Sequence, residues 1–199
     1  PVPGTPCTTS FDPSNLDDGL LFFDFRDLKP DDEGEDTISI DVQNDAWACM
    51  DLTLTSNDDV STTEPEFASP DAPENVTDAW DGELAQNLQF FWWADDGDNV
   101  YECEFEGIPD NEGNVHPLCN PNDPDSEQDL SGGVKTLYDL AISTGAFSIV
   151  LADSQGNAWG DPPGTPLPGG ERVYIAKAWC FGTLTTPGLP DDADTGPQD

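Results

Sequence analysis

The chain has 199 residues, enough for one domain with a buried core, and six Trp and ten Phe supply much of the apolar material. Asp and Glu number 42 against 5 Lys and Arg, a formal net charge of −37. Such a surface repels nucleic acid and anionic membranes, which excludes both as partners, and it opposes compaction unless cations screen or bind it.

Residues 1–19, rich in Pro, Thr and Asp, are expected to be an irregular N-terminal segment, and PVPGTPC reads as a chain trimmed after an export signal. Period-two alternation begins with LLFFDF (20–25), pauses at the acidic DLKPDDEGED, and resumes in TISIDV (37–42) with Ile38, Ile40 and Val42 on one face. WACMDLTLTS (47–56) sets Ala48, Met50, Leu52 and Leu54 against Asp51, Thr53 and Thr55, the pattern of a half-buried antiparallel strand. Residues 57–79 read as a long polar loop containing the sequon Asn75-Val76-Thr77, an N-glycosylation candidate.

GELAQNL (82–88) predicts one helical turn before the strand QFFWWA. The stretch FFWWADDGDNVYECE (90–104) predicts a β-hairpin: an aromatic strand, an Asp-Gly turn and a return strand carrying Cys103. A second polar region spans about 108–133, and its acidic NPNDPDSEQD (120–129) reads as a solvated loop. VKTLYDLA (134–141) has helical spacing at Val134, Leu137, Tyr138 and Ala141. AFSIVLAD is a strand, GDPPGTPLPGGE a turn-rich loop, RVYIAKAWCFGTLT a long strand, and 187–199 an acidic tail. Many short strands with little helix predict an all-β, jelly-roll-like β-sandwich with one or two short helices and long acidic loops, a single domain over 20–186. No run of 18 apolar residues occurs, so no membrane span is expected.

Catalytic signals are missing from the sequence. There is no HExxH, GxSxG or phosphate loop, and the sole histidine, His116 in GNVHPLC, is read as a loop residue, so no enzyme is expected. The turn after the aromatics offers oxygen ligands instead. Asp95, Asp96, Asp98 and Asn99 surround Gly97, and Glu102 comes next in the return strand, a hard donor set suited to Ca²⁺ although not an EF-hand. Phe90, Phe91, Trp92 and Trp93 make a strand apolar on both faces, which is either central or covered by another subunit, with Trp47, Trp179 and Phe181 as candidate neighbours.

Five cysteines without CxxC spacing argue against zinc or thioredoxin chemistry and for disulfides outside the cytoplasm. Pairing Cys103 with Cys119 closes a short loop, worth about 3 kcal/mol.

Three blocks, FDFRDLKPDDEGEDTISIDVQNDAWACMDLTLTSND, DGELAQNLQFFWWADDGDN and LPGGERVYIAKAWCFGTLT, together resemble the TasA/camelysin-like family over roughly residues 20–185. The resemblance implies a secreted jelly-roll protein that polymerises into extracellular fibres of biofilm matrix or pili, the N-terminal strand of one subunit completing the sheet of the next. The metallopeptidase label also attached to that family finds no zinc motif here. Cys49 and Cys180 both fall in strands of the matched blocks and are paired on that basis, leaving Cys7 free or joined to a neighbour.

Residues 1–19 match the family's first strand poorly, and the chain stops soon after the AWCFG strand, so the sheet is expected to lack a strand and to accept one from another copy. The expected function is a secreted structural subunit at the cell surface whose partners are copies of itself, with glycans as further candidates. The alternative is a monomeric, calcium-stabilised surface binding domain.

Overall fold

The computed structural model describes residues 15, 28–58, 82–101, 105–109, 115–119, 127–142, 147–159 and 164–184. The expected strand at 20–25, the sequon at Asn75, Glu102, Cys7, Cys103 and the acidic tail lie outside them.

Among the described residues the fold is all-β with antiparallel pairing and two short helices. In chain order come β1 (Glu33–Asp41), β2 (Ala48–Leu52), α1 (Leu84–Asn87), β3 (Leu88–Asp95), β4 (Phe105–Pro109), β5 (Val115–Cys119), β6 (Gln128–Asp129), β7 (Lys135–Thr136), α2 (Leu137–Ile142), β8 (Phe147–Ala152) and β9 (Arg172–Phe181). The principal sheet runs β1-β9-β3-β6, with β7 also on β3, while β2 pairs β8 and β4 pairs β5.

β9 and β3 form the centre, and their sequences show why. A strand between two neighbours has both faces covered and needs apolar residues at successive positions. LQFFWWAD is buried at every position but Gln89, and VYIAKAWC at every position but Tyr174. On one face Leu88, Phe90, Trp92, Ile175 and Trp179 join Ile149 and Leu151 of β8 and Leu140 of α2, with Ile38, Ile40, Ala48, Met50 and Leu52 packed against them. The β2–β8 ribbon therefore shares its core with this face of the principal sheet. In β2 the expected alternation holds, with Ala48, Met50 and Leu52 turned inward and Cys49 and Asp51 exposed.

On the opposite face large residues are paired with small ones. Phe91 faces Ala178 and Trp93 faces Ala176 across the ladder, which leaves room for the rings to lean over β9. Tyr101 caps them edge-on, its centroid 4.9 Å from Phe91 and 5.8 Å from Trp93. At the β1 edge, Gly34 lies under the Trp179 indole; a Cβ there would sit 2.9 Å from Nε1. Glycine is required at that position by close approach.

Several expectations are corrected. β3 does not form a hairpin with the segment after its turn, because β9 occupies one edge and β6 and β7 the other; β4 pairs β5 instead. His116 lies in β5, not in a loop, and the end of the acidic 120–129 segment forms β6 against Trp93 and Ala94. α2 begins at Leu137, after Lys135 and Thr136 have paired with β3 as β7. Trp47 is exposed, whereas Trp179 and Phe181 join the core beside the aromatics as expected.

Candidate cation site

The site forms where β3 leaves the sheet. Asp95, its last residue, is 1 % exposed, and its carboxylate folds back over the turn to accept the N–H groups of Gly97 (3.2 Å) and Asn99 (3.1 Å). Asp98 accepts the Val100 N–H (2.9 Å), and the Asp96 N–H donates to Glu127 (2.9 Å). These are the backbone-capturing bonds that make Asp and Asn favour turns.

Two residues hold left-handed backbone, Gly97 at φ 114° and Asn99 at φ 61°. Gly97 also lies against the Tyr174 ring, where a Cβ would come within 2.9 Å of a ring carbon. The Thr37 hydroxyl of β1 donates to the Asn99 side-chain oxygen. The Trp159 indole N–H reaches the carbonyls of Asp95 and Tyr174, each at 3.2 Å. The turn is thus tied to β1, β3 and β9.

Asp95, Asp96 and Asp98 can each place one carboxylate oxygen within 4.8 Å of the others, and this is the one such group among the described residues. Burial pushes the Asp95 carboxyl up to about 6; the Asn99 N–H offsets part of the rise, and the charges of Asp98 and Asp96 add to it. A buried carboxylate beside two others is stabilised by a proton or by a cation. With oxygen donors alone, the arrangement suits a hard divalent ion whose remaining positions are filled by water or carbonyls.

Of the five ligands read from the sequence, three come together. Asn99 faces Thr37, and Glu102 is outside the described residues. Sequence reasoning missed Glu127, brought to the turn by β6. Nearby Asp129 is committed to its own loop, accepting the N–H groups of Ser131, Gly132 and Gly133. The two acids, with burial as the larger cause, push the Tyr101 hydroxyl well above its ordinary pKa.

The other expected sites fare differently. Phe90, Phe91, Trp92 and Trp93 are 7, 2, 5 and 0 % exposed, so the chain itself covers them and they offer no face to a neighbour. Cys49 and Cys180 are free thiols and not a disulfide. Cys49 points outward from β2, whereas Cys180 lies buried on the face of β9 that the β2–β8 ribbon does not cover. Burial, with Glu33 and Asp31 adding, raises the Cys180 thiol. Cys119 ends β5, and its expected partner Cys103 lies outside the described residues.

Sequence reasoning also missed Lys177. It sits in β9 between apolar residues with its side chain 0 % exposed. Its Nζ lies 5.7 Å from the Phe90 ring centroid, 5.9 Å from that of Trp92 and 3.4 Å from Asp36 Oδ2. Burial lowers the amine to about 7, against the opposing pull of Asp36. A lysine inside YIAKAWCF was the available signal.

Comparison with family models, with curated proteins and with solved structures finds no match. No helix among the described residues is long and apolar enough to cross a membrane.

Proposed function

We propose that this chain is a secreted structural subunit of an extracellular fibre or pilus, folded as a jelly-roll-like sandwich and assembled by strand exchange between copies. The observation that carries the reading is the edge of the principal sheet. β1 is nine residues long and pairs β9 along its whole length, while no strand among the described residues pairs its other side. An edge of that length presents a row of backbone donors and acceptors that a neighbour's strand can satisfy.

The composition of β1 is consistent with a guarded edge. Glu33, Glu35, Asp36 and Asp41 keep like-charged copies apart at low ionic strength, and screening or bridging cations would permit the approach. The resemblance of the three sequence blocks to TasA/camelysin-like proteins supports the same reading, including a location outside the cell. The aromatic strand, in this account, stiffens each subunit and does not join subunits.

The second reading, a monomeric calcium-stabilised surface domain, is favoured by the Asp95, Asp96 and Asp98 group. Size-exclusion chromatography with light scattering and negative-stain electron microscopy, run in high salt with and without calcium, separates the two. Filaments support the fibre subunit. A single monomeric species under every condition supports the surface domain.

A further inference from the structure

We propose that the outer edge of β1 is a docking site for a basic, amphipathic strand: an extended segment of another protein with Lys or Arg on one face and apolar residues on the other. The site rests on the same open edge as the fibre reading, but its occupant is not a second copy, and ionic strength selects between the two.

The hydrogen bonds at the ends of β1 fix which groups the edge offers. Val42 donates its N–H to the Glu171 carbonyl and accepts that of Gly170, and Asp32 accepts the N–H of Phe181. Backbone groups alternate in direction along a strand, so the even-numbered residues face β9. The N–H and C=O groups of Glu33, Thr37, Ser39 and Asp41 therefore point away from it, and no strand among the described residues takes them.

The side chains define the strand that fits. Glu33, Glu35, Thr37, Ser39 and Asp41 leave the sheet on one face, an acidic row at both ends with neutral hydroxyls between. Within the sheet Arg172 meets Asp41 at 2.8 Å and Lys177 meets Asp36 at 3.4 Å. Between Lys29 and Lys135 the sequence has no other Lys or Arg, while Asp31 and Asp32 add to the acids where β1 begins. On the opposite face Ile38 and Ile40 are only partly buried against the core, and apolar residues of an added strand would extend it. Opposite charges on paired strands stabilise and like charges destabilise. A copy of this chain, at −37, brings acid to acid, whereas a basic strand brings the complementary sign.

Salt sets the choice. At low ionic strength the attraction for a basic strand and the repulsion between copies both act in full. At about 1 M salt, where charges are screened within about 3 Å, both fade and the edge is left to backbone and apolar contacts.

A capped peptide of alternating Lys and Val, nine residues like β1, tests the pairing when added to the full chain at low salt. The control has the same sequence with every second residue of D configuration, which keeps the charge and breaks the ladder. The L-peptide should bind about tenfold tighter than the control or better. By residue-resolved hydrogen exchange it should slow the Thr37 and Ser39 amides and leave Ile38 and Ile40, already bonded to β9, unchanged. Ser39→Pro, which removes an outward N–H at an edge position where proline is tolerated, should lower binding to the control's level. Equal binding of the two peptides, or slowed exchange away from β1, overturns the docking site. Thr37 and Ser39 amides already protected in the peptide-free chain overturn both this site and the fibre reading. The exchange pattern is read in the unaltered chain, so the answer stands even where Ser39→Pro does not fold. Filament formation, assayed in high salt without peptide, decides the fibre reading separately.

Discussion

Replacing Asp95 with Asn should stabilise the cation-free protein and abolish its response to calcium. The carboxyl, pushed from 3.8 to about 6 mainly by burial, holds about 3 kcal/mol of unfavourable free energy when ionised at pH 7. The Asn side chain removes that charge but keeps one acceptor oxygen for the two N–H groups, of Gly97 and Asn99, that Asp95 serves, which costs about 1 kcal/mol. The expected net gain is about 1–2 kcal/mol at pH 7.

The raised pKa sets the sign. The native state holds the Asp95 proton more tightly than the unfolded chain. Its stabilising contribution is therefore full below 3.8 and lost as pH rises through about 6. The advantage of the variant should thus be largest above pH 6 and vanish or reverse near pH 4.

Calcium inverts the order, because a bound cation neutralises the carboxylate directly. At 100 times the dissociation constant it adds about 2.7 kcal/mol to the wild type and nothing comparable to Asp95→Asn. Urea unfolding at constant ionic strength, with and without calcium, reads both effects. Equal calcium responses in the two proteins, or none in either, would refute the assignment of Asp95 as a ligand.

Trp93→Ala should cost about 3–5 kcal/mol, because the ring is fully buried against Phe91 and Tyr101; a loss below about 1 kcal/mol in chemical denaturation would contradict its central place. Alkylation and peptide mapping should label Cys49 in the native protein and Cys180 only after unfolding, whereas protection of both under non-reducing denaturation would reveal a disulfide. Chelation by EDTA at low salt should disperse bundled fibres or lower the melting temperature, since divalent ions bridge carboxylates that otherwise repel; light scattering and thermal melts that ignore the chelator would remove divalent ions from the account.

Much of the strand layout was legible because alternation and burial are local in origin. β1, β2, β8 and β9 emerge from rows such as Ile38/Ile40 and Met50/Leu52, whereas the doubly apolar QFFWWA left open a central strand or one covered by another subunit, and its place between β9 and β6 makes it central. The pairing of the chain beyond β3 was not legible. The Asp-Gly signal fixes a reversal of the chain, but a hairpin also needs a vacant edge, and here β6, β7 and β9 fill both sides of β3. β6 and β7 are two residues each and carry no periodicity.

The acidic triad was visible because its members are adjacent in sequence, whereas Glu127 arrives through a pairing 31 residues away from Asp96. Cys49 and Cys180 show the same limit. Lying in strands says nothing about which side of which sheet each thiol faces, and here the two point away from a common contact.

The central claim is that another copy's strand completes the sheet at β1. Cryo-electron microscopy of filaments assembled in high salt with calcium tests it most directly. The account predicts density for an added strand hydrogen-bonded along Glu33–Asp41 and contributed by the adjoining subunit. Filaments in which that edge faces solvent, or a preparation that remains monomeric, would contradict it.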